Sequence, residues 1–591
     1  MNVTISIDGI NIEVTDSTTI LEAALQVGIK IPTLCFMKDL HKEGICRICL
    51  VEVAGRPALM PSCVLYATEG MKIITDSPVI RRVRKTTLEL ILSNHVKDCL
   101  NCERSTNCEL QELANRFGVD SWRFDEQIEN RTIDDTSYSI VRDSGKCILC
   151  RRCISACSEM QSVNSIGIIS RGSHSMVTSG LDSLADSVCV NCGQCAAVCP
   201  VNAIYEKDEI GFVEKALSDP DKFVVVQTAP AIRAALGETQ GLPPGTCVTG
   251  KMVSALKIMG FKAIFDTNFT ADLTILEEGT ELLQRLEKAI QFKDPSVKLP
   301  MFTSCSPGWV KFLEHNYPDY TDNLSTAKSP QQMMGTIIKT YYSEKKGIPP
   351  EKIVVVSIMP CTAKKFEARR PEMTSSGFQD VDFVLTTRQL GKMLDKRGVD
   401  FINLPDSSFD DPLGRSTGAA DIFASSGGVM EAALRTVYEL VTGRELPAEK
   451  LHVNGLMDIH GIREVSLTFE NCLERYTWLN GVTAIVGAAS GLGNARKVME
   501  KIISGEKSYH FIEFMACPGG CISGGGQPRL TDDIVRMKRF NAIKKEDEGK
   551  KLRKSHENPS VMDLYTAYLG SPCSDKAHHL LHTHYTKRGL L

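Results

Sequence analysis

The sequence predicts a multidomain α/β protein, with small cysteine-rich modules in front and one larger α/β domain behind. Three observations predict it. A chain of 591 residues exceeds what a single core supports. Fifteen of its 22 cysteines lie before residue 200, in four tight groups. From about residue 221, apolar runs alternate with amphipathic segments, the pattern of strand and helix repeated around a substantially parallel sheet.

Bulk composition excludes several classes. Hydrophobic residues make up 42%, charged residues 24%, and the net charge of −4 gives no sign of a nucleic-acid partner. The opening MNVTISIDGINIEV alternates like a strand and lacks the basic and apolar regions of a secretory signal. No apolar run approaches the roughly 18 residues of a membrane span. A cytoplasmic chain without membrane contact is expected, and there many cysteines point to metal rather than disulfides.

The first group is Cys35, Cys46, Cys49 and Cys63, spaced C-x10-C-x2-C-x13-C. Strand-like NVTISIDG and NIEVTD precede helix-like TILEAALQVG, the order of a ferredoxin-type β-grasp. Plant-type [2Fe-2S] spacing is C-x4-C-x2-C, so this is a variant with a longer first gap. Zinc is the alternative; the β-grasp order and Gly44 ahead of Cys46 speak against it. The second group, His95, Cys99, Cys102 and Cys108, on its own describes structural zinc as well as a cluster.

The third and fourth groups repeat each other. Cys147, Cys150, Cys153 and Cys157 form C-x2-C-x2-C-x3-C, and Cys189, Cys192, Cys195, Cys199 and Pro200 repeat it about 42 residues on. This is the bacterial two-cluster ferredoxin signature, in which the fourth cysteine ligates the other cluster. One cubane is expected on Cys147, Cys150, Cys153 and Cys199, the other on Cys189, Cys192, Cys195 and Cys157. Fifteen cysteines and His95 make four sets of four, an electron wire.

In the back half FVVVQT precedes AIRAALGE, KIVVVSIMP precedes TAKKFEARR, DFVLTT precedes RQLGKMLDKRG, and YHFIEFMA precedes a glycine-rich loop. Ligands of such sheets bind beyond the carboxyl ends of strands. Cys305 follows KLPMFTS, Cys361 follows KIVVVSIMP, and Cys517 and Cys521 follow YHFIEFMA, so these thiols are expected at one edge of one sheet. Cys247, Cys472 and Cys573 lack such loops and are expected as buried core cysteines.

The loops TSCSPGW, MPCTAKKFE and EFMACPGGCISGGG resemble, in order, the three signature segments of the [FeFe]-hydrogenase catalytic domain. The resemblance continues through FDTNFTADLTILEEGTE, NLSTAKSPQQMMG, IFASSGGVMEAALR and SHENPSVMDLYTAYLG. The front modules resemble those of long members of this family and of complex I large subunits, which favours iron–sulfur for the second group. The resemblance implies a β-grasp [2Fe-2S] domain at 1–78, a small His/Cys3 [4Fe-4S] module at 79–125, a two-cluster ferredoxin module at 137–210, and an α/β H-cluster catalytic domain at 220–591. That last domain includes a small-subunit-like tail.

It also implies reversible reduction of protons to H2 at an H-cluster, a [4Fe-4S] cubane joined to a diiron subcluster carrying CO, cyanide and azadithiolate. Cys361 and Cys517 would ligate the cubane and Cys521 bridge to the diiron unit. Lys364 would hydrogen-bond a cyanide, with Met359, Met515, Gln331, Pro230 and Phe423 lining the pocket. Cys305, Ser325, Glu278 and Glu281 match the family's proton path. Partners implied are ferredoxin and flavin/NAD(P)-binding subunits in a hetero-oligomer, since GAASGLGNA at 487–495 is too loose for a nucleotide site.

Ser306 departs from the family, which has two adjacent cysteines there, the first relaying protons and the second ligating the cubane. Either Ser306 ligates through oxygen, or a backbone shift lets Cys305 ligate and leaves Ser306 as relay; thiolate softness leans to the second. Alternative functions are a non-catalytic electron-transfer subunit of a complex I-like assembly, a hydrogen sensor, or an iron–sulfur assembly factor. The three loops oppose the first, no signalling domain supports the second, and the intact glycine-rich segment opposes the third.

Overall fold

The computed structural model describes residues 1–119, 123–124, 131–181, 183–447, 461–529 and 532–589. Strands β1 (Asn2–Ile7) and β2 (Ile10–Thr15) form a hairpin closed by Asp8-Gly9, both at positive φ, the pair a tight two-residue turn demands. With β3 (Leu50–Val53), β4 (Met60–Pro61) and β5 (Lys72–Ile74) they build a sheet of order β2-β1-β5-β3-β4. Helix Ile20–Gln26, started by a Thr19/Glu22 capping box, buries Ile20, Leu21, Ala23 and Ala24. Buried Arg84 of helix Pro78–Ser93 donates to the Ile48, Leu50 and Thr75 carbonyls and so ties the second module to the first.

The ferredoxin module has antiparallel strands β6 (Ile133–Asp134), β7 (Ile140–Asp143) and β10 (Ile204–Glu206), plus the pair β8 (Gly167–Ile169) and β9 (Met176–Thr178). A short helix carries the third cysteine of each run, Arg152–Ser155 and Gln194–Val198, and expresses the sequence repeat in structure.

Behind it lie two four-stranded sheets. One, β12-β11-β14-β15, is wholly parallel: β11 is Phe223–Thr228, β12 Ala263–Asp266, β14 Ile353–Met359 and β15 Phe383–Thr386. The other, β13-β18-β17-β16, joins β13 (Met301–Phe302), β18 (Phe511–Met515) and β17 (Thr483–Ser490) in parallel and adds β16 (Ile462–Thr468) antiparallel at its edge. The expectation of one sheet is therefore corrected: the Cys361 loop leaves the first sheet, and the Cys305 and Cys517/Cys521 loops leave the second. Apolar runs announce strands but not which strands pair. AIRAALGE forms two 3-10 turns, Pro230–Ile232 and Leu236–Gln240, rather than one helix, and Gly237 within it disfavours a continuous one. Cys247 is exposed, and Cys472 and Cys573 are half-buried, so none is a core cysteine. Among the described residues no helix is long and apolar enough to cross a membrane.

A buried cation fixes the pocket end of the first sheet. Arg233 donates to Asp266 at the end of β12 (2.7 Å) and to Asp421 (2.9 Å), which Lys550 also reaches at 2.7 Å. Asp421 lies two residues before Phe423, so the pair holds Phe423 and Pro230 in register. Replacing Arg233 with methionine leaves buried Asp266 without its cation and Asp421 with Lys550 alone; a loss of about 3–5 kcal/mol of stability is expected in denaturant unfolding.

Candidate active site

The site is reached through four groups of thiols. In the first, Cys49 and Cys63 lie 3.3 Å apart, and hydrogen bonds from Cys35 and Cys63 hold Cys46 and Cys49 down at about 6 and about 7. Each pair thus favours one thiolate, the form that takes metal. In the second, buried His95 sets Nδ1 3.0 Å from the Lys146 carbonyl. A carbonyl only accepts, so Nδ1 carries the proton and the Nε2 lone pair faces outward, the orientation of a metal-ligating imidazole. Burial, then Cys108 and Cys102, push the neighbouring Cys99 thiol up.

The two ferredoxin runs turn through paired left-handed residues, Leu149 and Arg151 in one, Asn191 and Gly193 in the other. These turns aim backbone amides at sulfur: Leu149 N–H donates to Cys147 Sγ (3.4 Å), and Asn191 N–H to Cys189 Sγ (3.5 Å). Such bonds tune cluster potential. One cavity is lined by Cys157, Cys189, Cys192 and Cys195, another by Cys147, Cys150, Cys153 and Cys199. The last cysteine of each run lines the cavity of the other.

Cys192 then meets the back half. Burial pushes its thiol well up, and Cys517 adds the largest charge contribution to this. Thr362 Oγ1 donates to the Asn191 carbonyl (2.7 Å), and Gln194 Nε2 to the Ser523 carbonyl (3.0 Å). Here the GGG run is a steric requirement: a Cβ on Gly525 would sit 2.2 Å from the Cys192 carbonyl, and one on Gly524 2.2 Å from the Pro360 carbonyl.

Within the site, Cys361, Cys517 and Cys521 form one electrostatic group. Burial pushes all three thiols up, Cys521 to about 12, and Cys361 adds to the rise in the other two. Buried thiols so crowded stay protonated unless a cation joins them, and an iron–sulfur cubane supplies that positive charge to soft donors. The donor set fits the group.

The TSCSPGW loop splits its two central side chains. Cys305 packs in the apolar cluster that holds Phe423 and Met515, its thiol pushed well up by burial and then by Glu278. Ser306 starts helix Pro307–Asn316 and accepts from the Ala516 amide (3.2 Å), one residue before Cys517. Pro230, Gln331, Met359, Phe423 and Met515 are all buried. Lys364 Nζ donates to the Cys305 carbonyl (3.0 Å) and to Glu367 (2.9 Å).

Glu278 and Glu281 project from helix Thr267–Leu286, three residues apart and so on one face. Glu278 accepts from Ser304 Oγ at 3.4 Å, and its other oxygen is buried without a partner. Burial, then Glu281, push its carboxyl up to about 8. Ser325 Oγ donates to Glu281 (2.8 Å), and Glu281 pairs with Arg285 (2.6 Å) near the surface. Cys305, Glu278, Ser325, Glu281 and Arg285 thus form a line from the thiol loops outward.

Two residues escape sequence reading. Glu367 gathers Lys364, Ser329 (3.0 Å) and Gln331 (3.1 Å) on one carboxylate; its spacing of three from Lys364 in MPCTAKKFE was the available signal. Glu513 of β18, raised to about 7 by burial, accepts from the Gly427 and Met430 amides and anchors helix Gly428–Thr442 beside the site.

Comparison with known proteins agrees with this geometry. The iron only hydrogenase large subunit, C-terminal domain family matches residues 222–525, and the iron hydrogenase small subunit family 532–588. The chain belongs to the iron-only hydrogenase family. The 2Fe-2S iron-sulfur cluster binding domain matches 1–78, the NADH-ubiquinone oxidoreductase-G iron-sulfur binding region 84–123, and the 4Fe-4S dicluster domain 146–203. The NADP-reducing hydrogenase subunit HndD of Solidesulfovibrio fructosivorans is 50% identical over 99% of both chains. Iron hydrogenase 1 of Clostridium pasteurianum is 38% identical over 99% of this chain and 100% of that one. A solved variant of [FeFe]-hydrogenase HydA1 from Chlamydomonas reinhardtii superposes with TM-score 0.58 at 43% identity, over 64% of this chain and 99% of that one. This hydrogenase interconverts protons, electrons and H2 at its H-cluster domain, and its [2Fe-2S] and [4Fe-4S] domains relay the electrons.

Folded, Glu278 titrates near 8; the ordinary carboxyl value is 4.5. The native state therefore holds an extra proton between these values, and stability falls as pH rises through that window. Glu278→Gln removes this loss, so its melting temperature relative to the parent should climb from about pH 5 to about pH 9. A constant difference across that range would contradict the raised carboxyl.

Proposed function

We propose that Cys361, Cys517 and Cys521 hold the H-cluster, that Cys305 is its proton relay, and that Ser306 occupies the cubane's remaining corner. What carries this reading is the split of the TSCSPGW loop: Cys305 beside Glu278, Ser306 Oγ on the amide next to Cys517. Of the two readings of Ser306, this favours the oxygen donor. When bound, the H-cluster supplies an open iron site and an amine base for interconverting protons, electrons and H2. The chain's own residues do the rest. Buried Pro230, Met359, Phe423 and Met515 exclude water, Gln331 and Glu367 orient Lys364, and a proton passes between Cys305 Sγ and Glu278, then by Ser325 Oγ to Glu281. A carboxyl near 8 suits a group that must both take and give a proton near neutrality.

The same proposal assigns one [2Fe-2S] cluster to Cys35, Cys46, Cys49 and Cys63. It gives one [4Fe-4S] cluster to His95, Cys99, Cys102 and Cys108, and two to the crossed ferredoxin sets. The units would span 1–78, 79–125, 137–210 and 220–591. It further places the chain in the cytoplasm, as one subunit of a complex exchanging electrons with ferredoxin and an NAD(P)-linked flavoprotein. The HndD relative, named as an NADP-reducing hydrogenase subunit, supports the complex.

Cys305→Ala is expected to lower H2 turnover about 10²–10⁴-fold, the scale of a lost proton-transfer group, with the H-cluster retained. Ser306→Cys is expected to keep turnover and shift the cubane's midpoint potential. Loss of the cubane in Cys305→Ala, with recovery in Cys305→Ala/Ser306→Cys, would instead make Cys305 the ligand. The isolated chain should reduce an artificial dye with H2 but not NADP; NADP reduction by the chain alone would contradict partner subunits.

A further inference from the structure

Outside the hydrogenase site, the described residues bring one more mixed set of metal-type donors together. Glu277, Cys573 and His582 place a carboxylate oxygen, a thiol and an imidazole nitrogen within 4.8 Å of one another. Glu277 and His582 are buried, and Cys573 is half-buried beside exposed Ser571 and Asp575, which leaves an approach from solvent. His582 Nε2 lies 3.0 Å from Glu277 Oε2.

The atoms that would not ligate are each already held. His582 Nδ1 pairs with Thr326 Oγ1 at 2.7 Å, which turns Nε2 toward the carboxylate. Tyr565 OH donates to Glu277 Oε1 and leaves Oε2 facing His582. The Cys573 amide donates to Oε2 (2.8 Å), and its left-handed backbone (φ 56°) swings the thiol to 3.6 Å from the Glu277 carbonyl. Outer partners of this kind orient the ligands of metal sites. One thiolate, one imidazole and one carboxylate, with a fourth position open to water, is a donor set suited to zinc.

We propose that Glu277, Cys573 and His582 bind one zinc-type divalent cation. Binding forms Zn–S, Zn–N and Zn–O bonds and releases the Cys573 thiol proton to solvent, while His582 binds as the neutral tautomer that keeps its ring proton on Nδ1, donated to Thr326 Oγ1. No electrons move. The ion would pin the C-terminal tail, through Cys573 and His582, to helix Thr267–Leu286, one residue from Glu278.

The test uses the full chain with its iron complement verified, incubated with zinc and desalted. The expected result is about one retained zinc per chain. X-ray absorption at the zinc edge should show a single sulfur at about 2.3 Å and lighter atoms at about 2.0–2.1 Å. Cys573→Ser and His582→Gln, with iron content unchanged, should each lose the retained zinc, and Thr326→Val should weaken binding about 10–100-fold. No retained zinc, zinc with no sulfur neighbour, zinc with several sulfurs as in a vacated cluster site, or zinc undiminished in Cys573→Ser would each overturn the proposal. The absorption measurement on the unaltered chain decides it even where a variant fails to fold.

Discussion

Everything here depends on a mismatch between burial and charge. Thiols bind iron as thiolates, yet beyond the first module this fold buries them in groups where burial and neighbouring thiols oppose ionisation. Burial pushes up Cys361, Cys517 and Cys521, and Cys361 adds to the rise in the other two; the ferredoxin thiols Cys192 and Cys195 are likewise raised by burial and by neighbouring thiols. Metal charge resolves the mismatch. For the small front modules the consequence is structural as well as electronic: the β-grasp core is modest, and the segment around Cys99–Cys108 owes little to apolar packing. Cluster binding there is folding energy.

The second constraint is contact between the modules. Electron relay requires neighbouring clusters, and the chain achieves this by docking the Cys192 turn against MPCTAK and the glycine triplet. Side chains at 524 and 525 would strike the Pro360 and Cys192 carbonyls, so the triplet lets the Cys192 turn and the MPCTAK loop approach closely. The proposed proton route would take another direction, outward along one face of helix Thr267–Leu286 to Arg285. The two routes share only the thiol loops at which they end.

Much of this is legible in the sequence because cluster ligation is local. Three thiols from one tight turn must be spaced two residues apart, and the crossed fourth cysteine follows from the repeat. Asp8-Gly9 reads as a hairpin, and the runs at β11, β14, β15 and β18 read as strands. Strand pairing is not legible, since an apolar run carries no label for its neighbour; hence two sheets where one is expected. Cys573 has no local mark either, because its partners Glu277 and His582 come from a distant helix and the tail. Ser306 is the intermediate case. Its departure from the family pattern is visible in the sequence, but the contact between its hydroxyl and the Ala516 amide, on which its proposed role rests, is not.

The central claim is that these loops carry a working H-cluster. Infrared spectroscopy of the anaerobically matured protein, with H2 evolution followed on the same sample, tests it most directly. The account predicts CO and cyanide stretching bands together with H2 evolution from a reduced dye. A fully iron-loaded protein with neither bands nor H2 would contradict it.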